Sequence, residues 1–216
     1  MRESRQKNHC HANLSSEVRR ARPLTRAGFT LIELLITVAI ILVLTTLYWS
    51  GSNDVEKQKK SCGRNLRNLH IALEIYANES RGRFPVVTGA QTSEEPLDLL
   101  VPRYTADTSV FICPSSRDSS LPGGESIRKR RISYAYYMGR VSGDPSTPLM
   151  SDRQLDTLSK EPGQPVFSQT GKPPGSNHKT HGGNFLFCDG HVESVPALAQ
   201  FSLVVTQGIV LLNPQP

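Results

Sequence analysis

Residues 26–49 read Arg-Ala-Gly-Phe-Thr-Leu-Ile-Glu-Leu-Leu-Ile-Thr-Val-Ala-Ile-Ile-Leu-Val-Leu-Thr-Thr-Leu-Tyr-Trp. From Phe29 to Trp49 the only ionisable side chains are Glu33 and Tyr48. At about 1.5 Å per residue this apolar run makes a helix roughly 31 Å long, the thickness of a bilayer's hydrocarbon core. Tyr48 and Trp49 close it with the amphipathic aromatics that favour a membrane interface. A secretory signal peptide has a shorter apolar stretch followed by small residues at its cleavage site, and Leu-Tyr-Trp fits that poorly. A plain signal anchor has the same hydropathy.

Charge settles the orientation of this run. The chain has 216 residues and a formal charge of +6, with an isoelectric point near 9.3. Such a balance invites a nucleic-acid reading. Yet residues 1–28 alone hold seven of the Lys and Arg against Glu3 and Glu17, and the remainder is close to neutral. Basic residues before an apolar run keep that flank in the cytoplasm. The rest of the chain is therefore expected to be exported from a single-pass anchor in the inner (cytoplasmic) membrane.

Downstream, the helix pattern continues. No Pro occurs from Asp54 to Ser80, and apolar residues fall at Cys62, Leu66, Leu69, Leu73 and Tyr76, spaced alternately by four and three. That is one face of a helix, with Ile71, Ala72 and Ile75 expected to widen it. Arg81-Gly82-Arg83-Phe84-Pro85 ends it. Beyond lies a stretch rich in Gly and Pro, which total 16 and 15 in the chain. A short helix is expected from Glu94 to Val101, strands at Val110–Cys113 and Ile132–Met138, and mostly loop over 139–181. Asp189-Gly190 between Asn184–Cys188 and His191–Val195 predicts a hairpin with a two-residue turn, both turn residues at positive φ. The apolar residues 198–212 are too few to span a bilayer and predict a last strand or helix.

Arg26-Ala27-Gly28-Phe29-Thr30-Leu31-Ile32-Glu33 closely resembles the processing motif of type IV prepilins and type II secretion pseudopilins. The resemblance implies cleavage after Gly28 by a membrane prepilin peptidase, which also methylates the new amine of Phe29. It implies too that Glu33, a carboxylate otherwise costly at the head of a membrane span, neutralises the Phe29 amine of a neighbouring subunit during assembly. Cys10, His9 and His11 would leave with the leader. Cys62 to Leu69, Arg83-Phe84-Pro85, Val110 to Pro114, Ser133 to Tyr136 and Gly182 to Val192 resemble a branch of such proteins. That branch is named for nine residues between a His and Asp-Gly; here ten separate His178 from Asp189 and seven separate His181 from it.

The expected organisation is a leader at 1–28, a membrane and assembly helix at 29–50, its amphipathic continuation at 51–80, and a loop-rich exported β domain at 81–216. The fold class is α+β, a pilin-like long helix packed on a small antiparallel sheet. Export lets two of Cys62, Cys113 and Cys188 pair. Cys62 with Cys113 is the preferred disulfide because it would staple helix to sheet, although spacing alone leaves connectivity open. His178, His181, Asp189 and His191 form the one metal-like cluster. A turn aspartate and loop histidines explain them more simply, so no metal, cofactor or catalytic residue is expected. Arg128-Lys129-Arg130-Arg131 reads as a solvated loop, since no second basic patch or interleaved aromatic accompanies it, and no nucleic-acid partner is expected. The partners implied are the prepilin peptidase, the membrane, and copies of itself or other pilin-like subunits in a polymer. The alternatives are an exported binding module that keeps its anchor and never polymerises, or, further off, a metal hydrolase.

Overall fold

The computed structural model describes residues 28–216, so the leader apart from Gly28 lies outside the described residues, as do the side chains of residues 49–53. The chain divides after Leu44 into two compact units. In the first, the helix α1 (Leu31–Glu79) begins. Leu31–Tyr48 is long and apolar enough to cross a membrane, and its large apolar side chains are exposed, as is the Phe29 ring before them.

The second unit holds the distal part of α1 and a five-stranded antiparallel sheet, with β1 (Tyr134–Met138), β2 (Pro148–Asp152), β3 (Gly183–Phe187), β4 (Val192–Val195) and β5 (Val210–Leu212). Their order is β4-β3-β2-β1-β5. Side chains alternate across β1, which lies between β2 and β5. Tyr134, Tyr136 and Met138 face the helix stripe of Cys62, Leu66, Leu69 and Leu73. Ala135 and Tyr137 face a second core made with Val166, Phe167, Ala197 and Leu203 from the long loops. Both faces of the sheet are thus covered, which is why every residue of β1, β2 and β3 is buried. Gly183 lets the second core close, because a Cβ there would lie 2.6 Å from the Phe167 ring.

Four local expectations need correction. Ile71 and Ile75 do not widen the buried stripe; they are 59% and 46% exposed, and of the three only Ala72 is covered. Val110 and Phe111 belong to a 3-10 turn, Thr108–Phe111, started by the Asp107 side chain accepting the Ser109 N–H. A four-residue apolar run carries no period long enough to separate the two states. The segment 139–181 is mostly loop, as expected, and also holds β2, whose Pro148 and Ser151-Asp152 look like loop residues until distant partners satisfy them. The short helix stops at Leu97 and continues as a 3-10 turn to Leu100.

The Asp-Gly hairpin is real, but its loop is Cys188-Asp189-Gly190. Phe187 N–H donates to the His191 carbonyl and Gly190 N–H to the Phe187 carbonyl. Among the loop residues only Gly190 has positive φ, at +91°. This is the three-residue form with a left-handed glycine at its end. A Cβ on Gly190 would also lie 2.7 Å from the His70 ring of α1. Helix packing and loop geometry therefore ask for the same glycine.

Candidate functional site

At the head of α1, local chemistry is set by Thr30 and Glu33. The Thr30 N–H and hydroxyl each donate to Glu33 Oε2 at 2.9 Å, and Glu33 N–H donates back to Thr30 Oγ1 at 3.3 Å. This reciprocal pair is a capping box, closing two backbone donors that a helix start leaves open. Gly28 and Phe29 lie just before it, and the Phe29 side chain is 85% exposed. Cleavage after Gly28 would put an amino group one residue ahead of Thr30. The Thr-x-x-Glu spacing was present in the sequence, where Glu33 was read for assembly alone.

A second constellation is buried where α1 meets β2 and β3. Cys62 and Cys113 form a disulfide, their Cα atoms 5.1 Å apart, and Cys188 is free and buried. Beside the disulfide, Asp152 at the end of β2 is fully enclosed. His178 Nε2 stands 3.0 Å from its Oδ2 and 3.7 Å from Cys113 Sγ. The Asn184 N–H and side-chain amide also donate to Oδ2, and Asn177 donates to Oδ1. Burial pushes the Asp152 carboxyl upward, but His178, Asn177 and Asn184 together outweigh it and hold the group below its ordinary value. Lys59, on the same side of the helix, donates to the carbonyls of His181 and Val195 at 2.7 and 3.0 Å. Burial lowers the pKa of its ammonium, against the opposing pull of Glu56 and Asp152.

The four histidine and aspartate positions that looked metal-like do not converge. His178 is in the core, His181 is exposed, and Asp189 pairs with His191 on the surface at 2.6 Å. The His191 N–H, more than its ring, holds the Asp189 carboxyl low. Asp152, Ser115, Asn177 and Lys59 were not singled out from sequence. Apart from the contact of Ser115 with Cys113, their side-chain partners lie 25 to 136 residues away, so no local pattern announces them.

The basic run is dispersed among acids, Arg128 with Glu95, Arg130 with Glu125 and Arg131 with Asp118. A second basic surface does exist, contrary to the sequence reading. Lys57, Lys60, Arg64 and Arg67 line a groove against Val192 and Ser194, and no aromatic ring lines it with them.

Residues 24–48 match the prokaryotic N-terminal methylation motif. The match brackets Gly28, Phe29 and Glu33 and covers the apolar start of α1. It supports a type IV pilin-like subunit, anchored in a membrane through this helix and processed by a prepilin peptidase. No curated protein and no solved structure matches the chain.

Proposed function

We propose that this chain is a pseudopilin-like structural subunit of a type II secretion or type IV pilus-like machine, and that it catalyses no reaction of its own. The observation that carries the reading is the methylation motif at the head of a helix whose apolar residues are uncovered from Leu31 to Tyr48. A peptidase cleaves between Gly28 and Phe29 and methylates the Phe29 amine. The anchor holds the subunit in the inner membrane with its N-terminus cytoplasmic and residues 51–216 outside. On assembly, the same apolar surface passes from lipid to neighbouring helices, at little hydrophobic cost because both surroundings are dry. Glu33 then exchanges its cap on Thr30 for the Phe29 amine of the next subunit, a charged partner that is stronger than the neutral one it leaves. The resemblance to the branch named for its His…Asp-Gly spacing supports the same assignment for the outer domain.

Two substitutions test this. Gly28→Ala, co-expressed with a prepilin peptidase, is expected to accumulate as full-length precursor on an immunoblot; cleavage at the wild-type rate would sink the processing step. Glu33→Ala is expected to be cleaved normally yet to recover poorly in sheared filaments or secretion assays. Wild-type assembly in that variant would remove Glu33 from the mechanism.

A further inference from the structure

The buried constellation around the disulfide has the composition of a metal site. One ligand atom each from Cys62, Cys113, Asp152 and His178 lie within 4.8 Å of one another, and all four residues are buried. Two thiolates, an imidazole and a carboxylate are a donor set suited to tetrahedral zinc. Proton placement points the same way. The Ser115 hydroxyl lies 2.6 Å from the Asn177 carbonyl, which can only accept, so its hydrogen goes there. His178 Nδ1, 2.7 Å from the same oxygen, must therefore be the donor. That leaves Nε2 facing the Asp152 carboxylate at 3.0 Å.

We propose that the dithiol form of this domain binds one zinc ion through Cys62 Sγ, Cys113 Sγ, His178 Nε2 and Asp152, so that the helix is stapled to the domain by a disulfide or by a metal, never both. The dithiol is the form in which the chain is synthesised, and it lasts until an oxidant joins the two sulfurs. Binding forms two Zn–S bonds, one Zn–N bond and one Zn–O bond. It releases the two thiol protons and any proton on Nε2. The Ser115 contact fixes the imidazole tautomer and orientation from behind, the role outer partners play at zinc-binding histidines. This inference is independent of processing and polymerisation.

The test uses the full-length protein in detergent. A phosphine converts the disulfide to two thiols and is itself oxidised, with water, to the phosphine oxide. The reduced protein is expected to retain one equivalent of zinc against a chromophoric chelator, and its thermal midpoint to rise when zinc is added. Cobalt(II) in its place should give a thiolate-to-metal charge-transfer band. The oxidised protein should show none of these. Cys188→Ser should leave the stoichiometry unchanged, and His178→Gln should weaken zinc at least about tenfold. Reduced wild-type protein that retains no zinc, or a cobalt complex without the thiolate band, overturns the proposal without reliance on any variant. Equal zinc retention by oxidised and reduced protein overturns it as well.

Discussion

The two ends of α1 solve opposite problems with the same backbone. From Leu31 to Tyr48 the apolar side chains point in every direction and stay exposed, while from Cys62 to Ala77 they form one stripe whose main members have no exposed surface at all. A helix that is apolar all round suits a medium or a set of neighbours that is apolar all round; a striped helix suits one packed sheet. The second half has found its partner within its own chain. The first keeps its apolar side chains exposed, which suits the membrane-anchored, pilin-like subunit that the methylation motif supports.

This contrast can be broken by substitution. The largest effect is expected from Leu69→Ala, which empties a fully buried position between helix and sheet. Urea unfolding of the domain should lose about 3 kcal/mol, within the range for leucine truncation in a core. Leu35→Ala, the same chemical change in the exposed half, should move that unfolding midpoint by less than about 0.5 kcal/mol. Comparable losses at the two sites would mean that the halves are not distinct. A smaller effect is expected from Lys59→Met, which keeps the aliphatic stem and removes the ammonium that holds the His181 and Val195 carbonyls. A cost of about 2 kcal/mol follows from two charged hydrogen bonds, one of them partly open to solvent. No change in stability would show that this polar contact contributes nothing to docking of the helix. Smallest of all, Ile71→Ser lies on the striped half but off its stripe and should change stability by no more than about 0.5 kcal/mol. A loss like that of Leu69 would place Ile71 in a covered interface after all.

What could be read from sequence follows the range of the interactions involved. Hydrophobic spacing located the helix from Leu31 to Glu79 and the stripe through Leu66, Leu69 and Leu73, because helix periodicity is written into neighbouring residues. The Asp189-Gly190 hairpin was legible for the same reason, although its loop has three residues and its Gly190 packs against the His70 ring. β2 was missed because its last two residues, Ser151 and Asp152, are polar and its first is proline. Only His178 and the amides of Asn177 and Asn184, contributed by distant loop and strand, make Asp152 tolerable in the core. The burial of His178 was hidden likewise, since its neighbours in sequence are Asn177, Lys179 and the glycines that follow. Local rules see a polar loop there.

Sheet order also bears on how the chain must be made. β1 has β2 on one side and β5 on the other, and β5 is the last of these five strands in chain order. Until Val210–Leu212 arrives, one flank of β1 presents a row of unpaired backbone N–H and C=O groups beside the tyrosines of Tyr134–Met138. A nascent chain paused before that point would display an open apolar strand edge, the template on which unrelated chains pair and aggregate. Synthesis therefore has a vulnerable interval that begins with the first strand and closes only with the fifth.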